Sequence, residues 1–458
     1  MANLIKTKRG LNIPINGRPI EMIGISTPAK EYALLPDHYH GITPKLLVKE
    51  GDVVKAGSPI FYEKQFPGLN FVSPVSGKIK AVNRGERRKI MNIIVESDEQ
   101  MTYLDFGKKD AAKMSADELK QHLQTAGLWA YIKQRPYDVI ANPTQQPKAI
   151  FISSFDSAPL APNNDYVMSA QMADFQTGID VLAKFAPVQL GVRYGKKSPF
   201  HSVKNATITE YSGPHPIGNV GIQINHISPV NKGEVVWTIQ AQDVLFIGRL
   251  MNNGIVDLSR TIALAGPSVK SPQYYKTIVG SNVEGLVQGS KLHSNITHRF
   301  ISGNVLTGIQ VQGKGWLDPY ATMITVLEEG NSIHELVGWG MPRFRKFSVS
   351  GTFMTSLFES KPMKSLFGNM KYKWDTRLMG GRRAIIMSGE YDKVLPMDIL
   401  PEFLFKAMIT GDLDKMEALG AYEIAPEDVA LCEFVCTSKL PLQQIVRSSL
   451  DIMKKELE

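Results

Sequence analysis

The order of apolar and polar positions between Gly41 and Val95 is typical of short β-strands. Brief β-prone runs alternate with turns that contain glycine, at Gly51, Gly57 and Gly77. Glycine beside a small polar residue is a strong signal for the tight turn of a hairpin. The pattern therefore predicts a small all-β module inserted in the chain.

A strand–helix–strand pattern follows from residue 149. Ala149–Phe155 and Val188–Tyr194 are apolar runs of the kind found in buried strands. Between them, Asp165–Phe185 carries apolar side chains every three or four residues, which predicts a helix. Two strands joined by one helix over such a short distance form a βαβ unit, so we expect a parallel, Rossmann-like layer.

Further helices are marked by their end signals. Ser115 and Glu118 have the spacing of a capping box, and Gly254 is a stop signal for the apolar segment before it. Short β segments return over residues 258–329. The chain ends in predicted helices near Asp398–Ile409, Pro426–Cys436 and Leu442–Lys455.

Length and composition indicate several folded domains. The chain has 458 residues, of which 43% are hydrophobic and 21% charged, and a single core does not usually extend over such a length. Apolar stretches such as Val244–Ile247 are far shorter than the ~18 residues of a membrane-spanning helix. The N-terminal segment lacks the apolar core of a signal peptide. We therefore expect a protein of the cytoplasm.

The net charge of +8 is concentrated in two blocks. Residues 45–89 hold ten Lys and Arg against four acids, and residues 339–393 hold eleven against four. Such blocks suit an acidic partner or anionic lipid headgroups, although a solvated face is an equal alternative. No nucleic-acid motif accompanies the charge, so we expect no nucleic-acid partner.

The all-β module resembles the biotinyl/lipoyl barrels in its EGD-V-x-x-G and SPVSGK-I halves. Carrier domains of that kind place the modified lysine seven residues before the Ser or Ala of the second half. Counting back from Ser73 reaches Phe66, and the nearest lysine, Lys64, lacks the usual neighbours. We therefore expect the barrel fold without a covalently attached carrier group.

Residues 123–143 lie where proteins that resemble this chain but bind a flavin carry a glycine-rich loop. Glycines let backbone N–H groups approach a phosphate closely. In this chain Trp129, Tyr131 and Arg135 replace glycines. Their bulky side chains would block the approach of the backbone to a phosphate. We expect no FMN or NADH at this place, and we interpret Arg135 as a surface or structural residue rather than an anion ligand.

Cys432 and Cys436 are the only cysteines. Their spacing on a helix puts both sulfur atoms on one face. An iron–sulfur cluster needs four thiolates and a typical zinc site four ligands, and no histidine lies beyond His334. We interpret the pair as buried helical thiols, with a metal shared between subunits as the weaker alternative.

Residues 212–226 form a loop rich in proline and glycine that contains His215 and His226. The spacing of the two histidines fits no common metal signature. We expect a turn fixed by proline, with both histidines hydrogen-bonded.

Arginines and aromatic residues alternate from Trp339 to Arg383. Such a surface suits a protein interface or a hydrophobic ligand with a polar head, such as a quinone. We favour subunit docking over quinone contact. The candidate residues are Trp339, Arg343, Phe344, Arg345, Lys346, Phe347 and Phe353.

Several unrelated motifs occur in an order that resembles one family. Over essentially its whole length the chain resembles the NqrA family, the A subunits of the six-subunit bacterial sodium-translocating NADH:quinone oxidoreductases. The segments that carry the resemblance include TKRGLNIPINGRP, AGLWAYIKQRP, SGPHPIGNVG, VWTIQAQDVLFIG, GPSVKSP and EDVALCEFVCTSK.

The resemblance implies an α/β multidomain architecture. An N-terminal segment (1–40) joins the Rossmann-like domain (98–257), and a biotinyl/lipoyl-like barrel-sandwich (41–97) is inserted between them. An SLBB-type β-grasp domain (258–330) and an α-helical C-terminal domain (331–458) follow.

The resemblance also implies a peripheral subunit on the cytoplasmic face of the bacterial inner membrane. Its partners would be the other subunits of the sodium pump, above all the membrane-embedded B subunit, and ubiquinone is the candidate quinone. The chain would bind no redox cofactor of its own, whereas flavins, iron–sulfur centres and NADH would be used by other subunits. No catalytic residue is assigned. The alternative is a flavin- and NADH-binding electron-transfer subunit like that of Rnf complexes.

Overall fold

The structure is a computed structural model that describes residues 3–288, 292–293, 296–313, 315–331, 341–344, 346–351, 353–358, 361–367 and 370–457. Strands in these ranges form sheets of seven, six, four and three strands. Helices pack beside the largest sheet and make up most of the C-terminal region. The predicted α/β multidomain class is confirmed.

Two small antiparallel sheets form the N-terminal β module. One has the order β3-β9-β8-β5 and the other β4-β6-β7. The rings of Phe61 and Phe71 stack with centroids 4.5 Å apart in the core of this module. The strands of this module are β3 (Glu31–Leu34), β4 (Pro44–Leu46), β5 (Val53–Val54), β6 (Pro59–Glu63), β7 (Asn70–Val72), β8 (Gly77–Arg84) and β9 (Ile90–Ser97), whereas β1 (Asn3–Lys6) and β2 (Ile23–Gly24) belong to the two larger sheets.

Phe66 lies in the turn between β6 and β7, where a carrier domain would hold its lysine. Its N–H donates to the carbonyl of Glu63 at 3.1 Å, and its carbonyl accepts from Leu69 at 2.8 Å. The ring packs against the core of the module. Phe66 therefore closes the turn as a packing residue, and the lack of a carrier group stays a prediction.

The seven-stranded sheet has the order β1-β14-β13-β12-β15-β10-β11. Five strands are parallel, and β10 and β11 form an antiparallel pair at one edge. The predicted βαβ unit is present, because β12 and β13 are parallel neighbours. The elements are α1 (Ala116–Thr125), β10 (Lys133–Arg135), β11 (Val139–Ile140), β12 (Ile150–Ser153), α2 (Asn164–Met168), α3 (Met172–Leu182), β13 (Val188–Arg193), β14 (Thr207–Ser212), α4 (Val220–Ile227), β15 (Val236–Thr238) and α5 (Ala241–Asn253).

Both predicted helix-end signals are confirmed. The Ser115 side chain accepts a hydrogen bond from the N–H of Glu118, and the Glu118 carboxylate accepts from the N–H of Ser115. At the other signal, Gly254 adopts φ 74° and ends α5. A left-handed residue at this position is favourable for glycine because it has no Cβ.

The single helix predicted over Asp165–Phe185 is wrong. The segment is divided into α2 and α3 by a 3-10 turn, Ser169–Gln171. Ser169 Oγ donates to the carbonyl of Tyr166, and Gln171 Nε2 donates to that of Val167. Side chains that bond nearby carbonyls offer the backbone an alternative to continuous helix, and the apolar periodicity does not reveal this.

Helices α3 and α5 cross at two glycines. A Cβ on Gly248 of α5 would lie 1.8 Å from the carbonyl oxygen of Asp174, and a Cβ on Gly178 of α3 would lie 2.4 Å from that of Val244. Each glycine therefore allows the backbone of the other helix to approach. This close crossing fixes α5 against α3.

The six-stranded sheet has the order β19-β18-β20-β16-β17-β2 and its own core. The N-terminal strand β2 pairs in parallel with β17, which ties the start of the chain to this sheet. The elements are β16 (Ser259–Ala265), β17 (Gln273–Ile278), α6 (Val283–Gln288), β18 (His298–Ser302), β19 (Ile309–Val311) and β20 (Met323–Glu328).

The described C-terminal region is largely helical. Its helices are α7 (Lys361–Phe367), α8 (Glu390–Val394), α9 (Pro401–Thr410), α10 (Leu413–Ala418), α11 (Ala430–Val435) and α12 (Leu442–Leu457). The described 3-10 segments of the chain are Pro36–His38, Glu86–Arg88, Ala111–Lys113, Trp129–Tyr131, Ser169–Gln171, Pro199–Ser202, Met354–Leu357, Ala421–Glu423 and Pro426–Val429. In the described ranges, none of the helices has both the length and the apolar character needed to cross a membrane.

Buried polar contacts join the modules. Arg260 of β16 forms an ion pair with Asp243 of α5, and neither side chain is exposed. The same guanidinium donates to the carbonyl of Ala321 at 2.8 Å. Tyr320 donates its hydroxyl hydrogen to the carbonyl of Ala130 at 2.7 Å. A cleft remains between the large sheet, the six-stranded sheet and the C-terminal region.

Candidate functional site

The residues predicted for docking or quinone contact divide between buried and exposed positions. Arg343 and Phe353 are buried, with the guanidinium carbon 5.3 Å from the ring centroid. Phe347 packs beside Tyr372 and Trp374, each at 5.9 Å between centroids. These contacts give three of the predicted residues an internal packing role.

Two other predicted residues lie nearer the surface. Phe344 is 66% exposed, and Lys346 forms an ion pair of 2.6 Å with Asp375. Trp339 and Arg345 lie outside the described residues. Of the five described candidates, Phe344 is therefore the one whose side chain is free to meet a partner. The role of all seven stays a prediction.

The helical region has a further apolar surface that the sequence analysis did not single out. Two backbone N–H groups, of Ser388 and Gly389, donate to Glu402 Oε1 at 2.9 and 2.7 Å and so hold the preceding residues beside α9. Arg382 and Arg383 are exposed nearby along the chain. Five large apolar residues are about half exposed here, and together we call them the docking surface: Ile386, Met387, Leu400, Phe403 and Ile409.

Cys432 and Cys436 are both buried. Cys432 lies within α11, whereas Cys436 ends it with a non-helical ψ of 115°. The Cys436 sulfur is 3.0 Å from the Tyr391 hydroxyl and accepts from the N–H of Leu440 at 3.4 Å. Burial raises the pKa of the Cys432 thiol well above its ordinary value. Both thiols thus have the surroundings of packing residues.

No group of three or more His, Cys, Asp and Glu side chains is arranged to hold a metal ion in the part of the chain that the structure describes. A metal shared with another subunit through the two cysteines is not tested by this observation. The metal assignment of the pair therefore stays a prediction.

The aromatic residues that replace the glycine loop are packed inside the protein. Trp129 is fully buried, and its indole N–H donates to the carbonyl of Ala141 at 2.7 Å. Its ring lies 5.2 Å from that of Trp237. The segment therefore stabilises the core beneath the sheet edge instead of presenting backbone N–H groups to a ligand.

Arg135 is a structural arginine, as one of the two sequence interpretations expects. Only 2% of its side chain is exposed, and it donates to Asp428 Oδ2 at 2.9 Å and to Glu427 Oε1 at 2.8 Å. Asp138 lies 3.8 Å away. With carboxylates around it, this guanidinium is not available to bind an external anion.

His215 and His226 are both hydrogen-bonded, as predicted, but the predicted loop over residues 212–226 is wrong in its second half, because α4 begins at Val220 and contains His226. His215 Nδ1 lies 3.0 Å from Ser157 Oγ, and His226 Nδ1 lies 2.8 Å from the carbonyl of Ile222. Burial lowers the pKa of His215 to about 4. A neutral imidazole at physiological pH follows from this value.

The cleft between the modules, about 440 Å³ in volume, lies at the carboxyl ends of β12 and β15. Open parallel sheets usually bind ligands at this edge. The sequence analysis predicts the parallel layer but not the cleft, because the six-stranded sheet and residues 426–427 form its other walls. The signal available in the sequence is Ser153 and Thr238, the polar residues that end two apolar strands.

The charged side chains of the cleft are mostly acidic. Lys133 is the one lysine among the described lining residues, and the acids are Asp138, Asp156, Asp318 and Glu427. Burial raises the pKa of Asp156, opposed by the N–H groups of Ala158 and Ser157. Because Arg135 pairs with Glu427 and lies near Asp138, the described lining has no surplus of cations that would attract a phosphate.

The N-terminus of α4, which opens on this cleft, is already occupied by a carboxylate of the chain. A Cβ on Gly221 would lie 2.3 Å from either carboxylate oxygen of Asp428. The carboxylate of Asp428 therefore lies beside the first turn of α4, near the positive end of the helix dipole.

The fold and these sites define a class, that of multidomain α/β proteins with an inserted barrel-sandwich domain. Three family models match the chain: the NqrA N-terminal barrel-sandwich hybrid domain over residues 5–98, the NqrA second alpha/beta domain over 114–256 and the NQRA C-terminal domain over 261–313. The chain belongs to the NqrA family, the A subunits of the Na(+)-translocating NADH-quinone reductases.

Curated relatives match over their full length. The A subunit of the Na(+)-translocating NADH-quinone reductase from Neisseria meningitidis serogroup A is 37% identical, that from Yersinia pseudotuberculosis 36% and that from Pasteurella multocida 35%. Each alignment covers 99% of this chain and 100% of the relative. The predicted family resemblance is confirmed.

Solved structures are less similar. An NAD+-reducing NiFe-hydrogenase in the air-oxidised state aligns with 11% identity over 78% of this chain and 72% of the other, with a TM-score of 0.32. The same kind of enzyme in the H2-reduced state aligns with 9% identity over 50% of this chain and 52% of the other, also with 0.32. Values this low carry no argument about fold or function.

Proposed function

We propose that this chain is the A subunit of a sodium-translocating NADH:ubiquinone reductase and serves assembly and the quinone-reduction step without a redox cofactor of its own. The observation that carries the proposal is the match of 35–37% identity over the full length of curated A subunits. The relatives are named as subunits of a complex, and the names give no support to the flavin-binding alternative.

The docking surface supports a role in assembly. Five large apolar side chains, about half exposed, lie on or beside α9. Apolar patches with polar residues around them mark sites where proteins or membranes are contacted. We assign the docking surface to the membrane-embedded subunits, the B subunit in particular, on the cytoplasmic face of the inner membrane.

The internal contacts of three segments support the absence of a redox group in this chain. The two thiols are buried in the helical region, where Cys436 lies at hydrogen-bond distance from Tyr391. Trp129 fills the core below the sheet edge, and Arg135 is held by Asp428 and Glu427. The described lining of the cleft has no surplus of cations for the phosphate of a flavin nucleotide. Electrons then pass through other subunits.

Membership of the complex is tested with native membranes from cells that lack this chain. We expect loss of sodium-dependent NADH:ubiquinone reductase activity and its return when the full chain is supplied. Purified chain that carries iron or flavin in stoichiometric amounts would contradict the proposal that it holds no redox group.

Contact with the quinone needs a separate experiment. Phe344, the most exposed of the five described candidates, is the residue on which we base this part of the proposal. A photoreactive ubiquinone analogue in the intact complex should label peptides that include residues 341–358. Labelling confined to other subunits would refute quinone contact but leave the assembly role standing.

A further inference from the structure

The turn between β8 and β9 is strongly cationic. Residues 83–89, here called the basic turn, are all exposed. They contain Arg84, Arg87, Arg88 and Lys89 against Glu86 as the one acid. The basic turn therefore concentrates much of the charge of the first basic block at one end of a hairpin.

The backbone holds the basic turn in a defined shape. Arg87 and Arg88 both adopt left-handed conformations, with φ values of 52° and 61°. Two consecutive left-handed residues are the geometry of a type I′ hairpin turn, which the bond from the N–H of Lys89 to the carbonyl of Glu86, at 3.1 Å, closes. The N–H of Gly85 donates to the carbonyl of Lys89 at 2.8 Å, and Arg84 Nη1 donates to that of Arg88 at 3.1 Å.

Three of the four cations have no acidic partner within the described part of the chain. Lys89 lies 2.8 Å from Asp37. In the described ranges, no carboxylate lies within ion-pair distance of Arg84, Arg87 or Arg88. A guanidinium offers paired N–H donors that match the oxygens of a phosphate group.

The size and composition of the basic turn select one kind of partner. Seven residues are too few for a specific protein interface, which needs about 800 Å² from each side. The turn carries no aromatic side chain on which a nucleobase would stack. Met91, 44% exposed, lies across the turn, since a Cβ on Gly85 would be 2.9 Å from its sulfur.

We propose that the basic turn binds the phosphate headgroups of anionic phospholipids at a membrane surface. Its three arginines contact lipid phosphates, and Met91 lies at the boundary between headgroups and acyl chains. This contact is separate from the docking surface and needs no partner protein.

The test is sedimentation of the purified full chain with vesicles at low ionic strength. Phosphatidylglycerol vesicles should bind the chain, and phosphatidylcholine vesicles should not. A triple variant, Arg84→Gln with Arg87→Asn and Arg88→Asn, removes three charges while asparagine tolerates the left-handed backbone. Each cation near the surface increases the partition onto anionic lipid about fivefold, so the partition of this variant onto phosphatidylglycerol should fall roughly 100-fold.

A matched control removes three exposed lysines of the α/β domain, with Lys196→Gln, Lys197→Gln and Lys204→Gln. The control should keep most of the binding. Equal losses in the two triple variants would overturn the proposal, because net charge alone would then explain binding. Full displacement of the chain by soluble glycerol phosphate would also overturn it in favour of a site for free phosphate.

A photoreactive residue in place of Glu86 extends the test to the assembled complex. Labelled lipid supports the proposal. Labelling of another polypeptide would overturn it and assign the basic turn to a protein partner. Because the vesicle experiment uses the chain alone, failure of the lipid contact is distinguishable from failure of the assembly role.

Discussion

Arg135 Nη1 donates a hydrogen bond of 2.9 Å to Asp428 Oδ2, although 293 residues separate the two in the chain. Only 2% of the arginine side chain and none of the aspartate is exposed. Burial raises the pKa of Asp428, and the neighbouring guanidinium opposes this shift. The pair joins the antiparallel edge of the seven-stranded sheet to the helical region, so the two domains depend on each other for charge compensation.

Arg135→Met should lower the free energy of unfolding by about 3–5 kcal/mol, because it leaves the Asp428 carboxylate buried without its partner. The double variant Arg135→Met with Asp428→Asn should lose less than the single one. Urea denaturation followed by circular dichroism measures both. Lys415→Met, which breaks an exposed pair with Asp412, is the control and should show no measurable change. Equal losses in the single and double variants would contradict this role of the pair.

Stability below pH 6.5 should depend on His215. Its folded pKa of about 4 lies below the ordinary value of about 6.5. Between these values the unfolded chain binds more protons than the folded one, so stability falls as the pH falls. His215→Gln should remove about 2 kcal/mol of the loss between pH 7 and pH 5.

Wild type must be compared with the variant because other buried groups change the stability with pH in the opposite direction. Burial raises the pKa of Asp243 to about 6, opposed by Arg260, and this carboxyl lowers stability as the pH rises through the same range. Denaturation midpoints at several pH values give the difference. Parallel profiles for wild type and His215→Gln would show that the imidazole is not buried in its neutral form.

The two cysteines should be unreactive in the folded protein. Because both thiols are buried and burial raises the pKa of Cys432, a hydrophilic disulfide reagent at neutral pH should label neither. Both should react in denaturant. The double variant with alanine at both positions should retain assembly into the complex. Rapid labelling of the native chain would contradict the burial of the thiols, and loss of iron from the complex with this variant would indicate a metal site.

Gly248→Ala should destabilise the α/β domain by about 1–3 kcal/mol, because the added methyl group meets the Asp174 carbonyl oxygen at 1.8 Å. Gly285→Ala in α6 is the control, since its nearest atom is 3.8 Å away. Alanine there should stabilise the helix slightly. Thermal unfolding of the two variants measures the difference, and equal midpoints would contradict the close crossing of α3 and α5.

The sequence predicts helix ends correctly where the signal depends on residues that are neighbours in the chain. The capping box at Ser115 and the stop at Gly254 depend on residues a few positions apart, and both are present. The division between α2 and α3 was missed because it depends on side chains such as Gln171 that bond backbone carbonyls. Periodicity describes where apolar groups lie, not how polar ones compete for the backbone.

The candidate sites were harder to predict because they are made by residues far apart in the chain. The cleft needs Ser153 and Thr238 from the large sheet together with Glu427 from the helical region. Arg343 was predicted as a surface residue from its composition, yet it is buried near Phe353. Composition cannot separate an aromatic–basic segment that packs inward from one that faces a partner.

Assembly of the whole complex with single surface variants tests the central claim most directly. Phe403→Asp and Leu400→Asp each place a charge at an exposed apolar residue of the docking surface, whereas Ile452→Asp does the same at a half-exposed residue of α12. All three chains should fold, as judged by circular dichroism. We predict that Phe403→Asp and Leu400→Asp fail to co-purify with the membrane-embedded subunits while Ile452→Asp assembles normally. Normal assembly of the Phe403 and Leu400 variants would contradict the role of the docking surface in assembly.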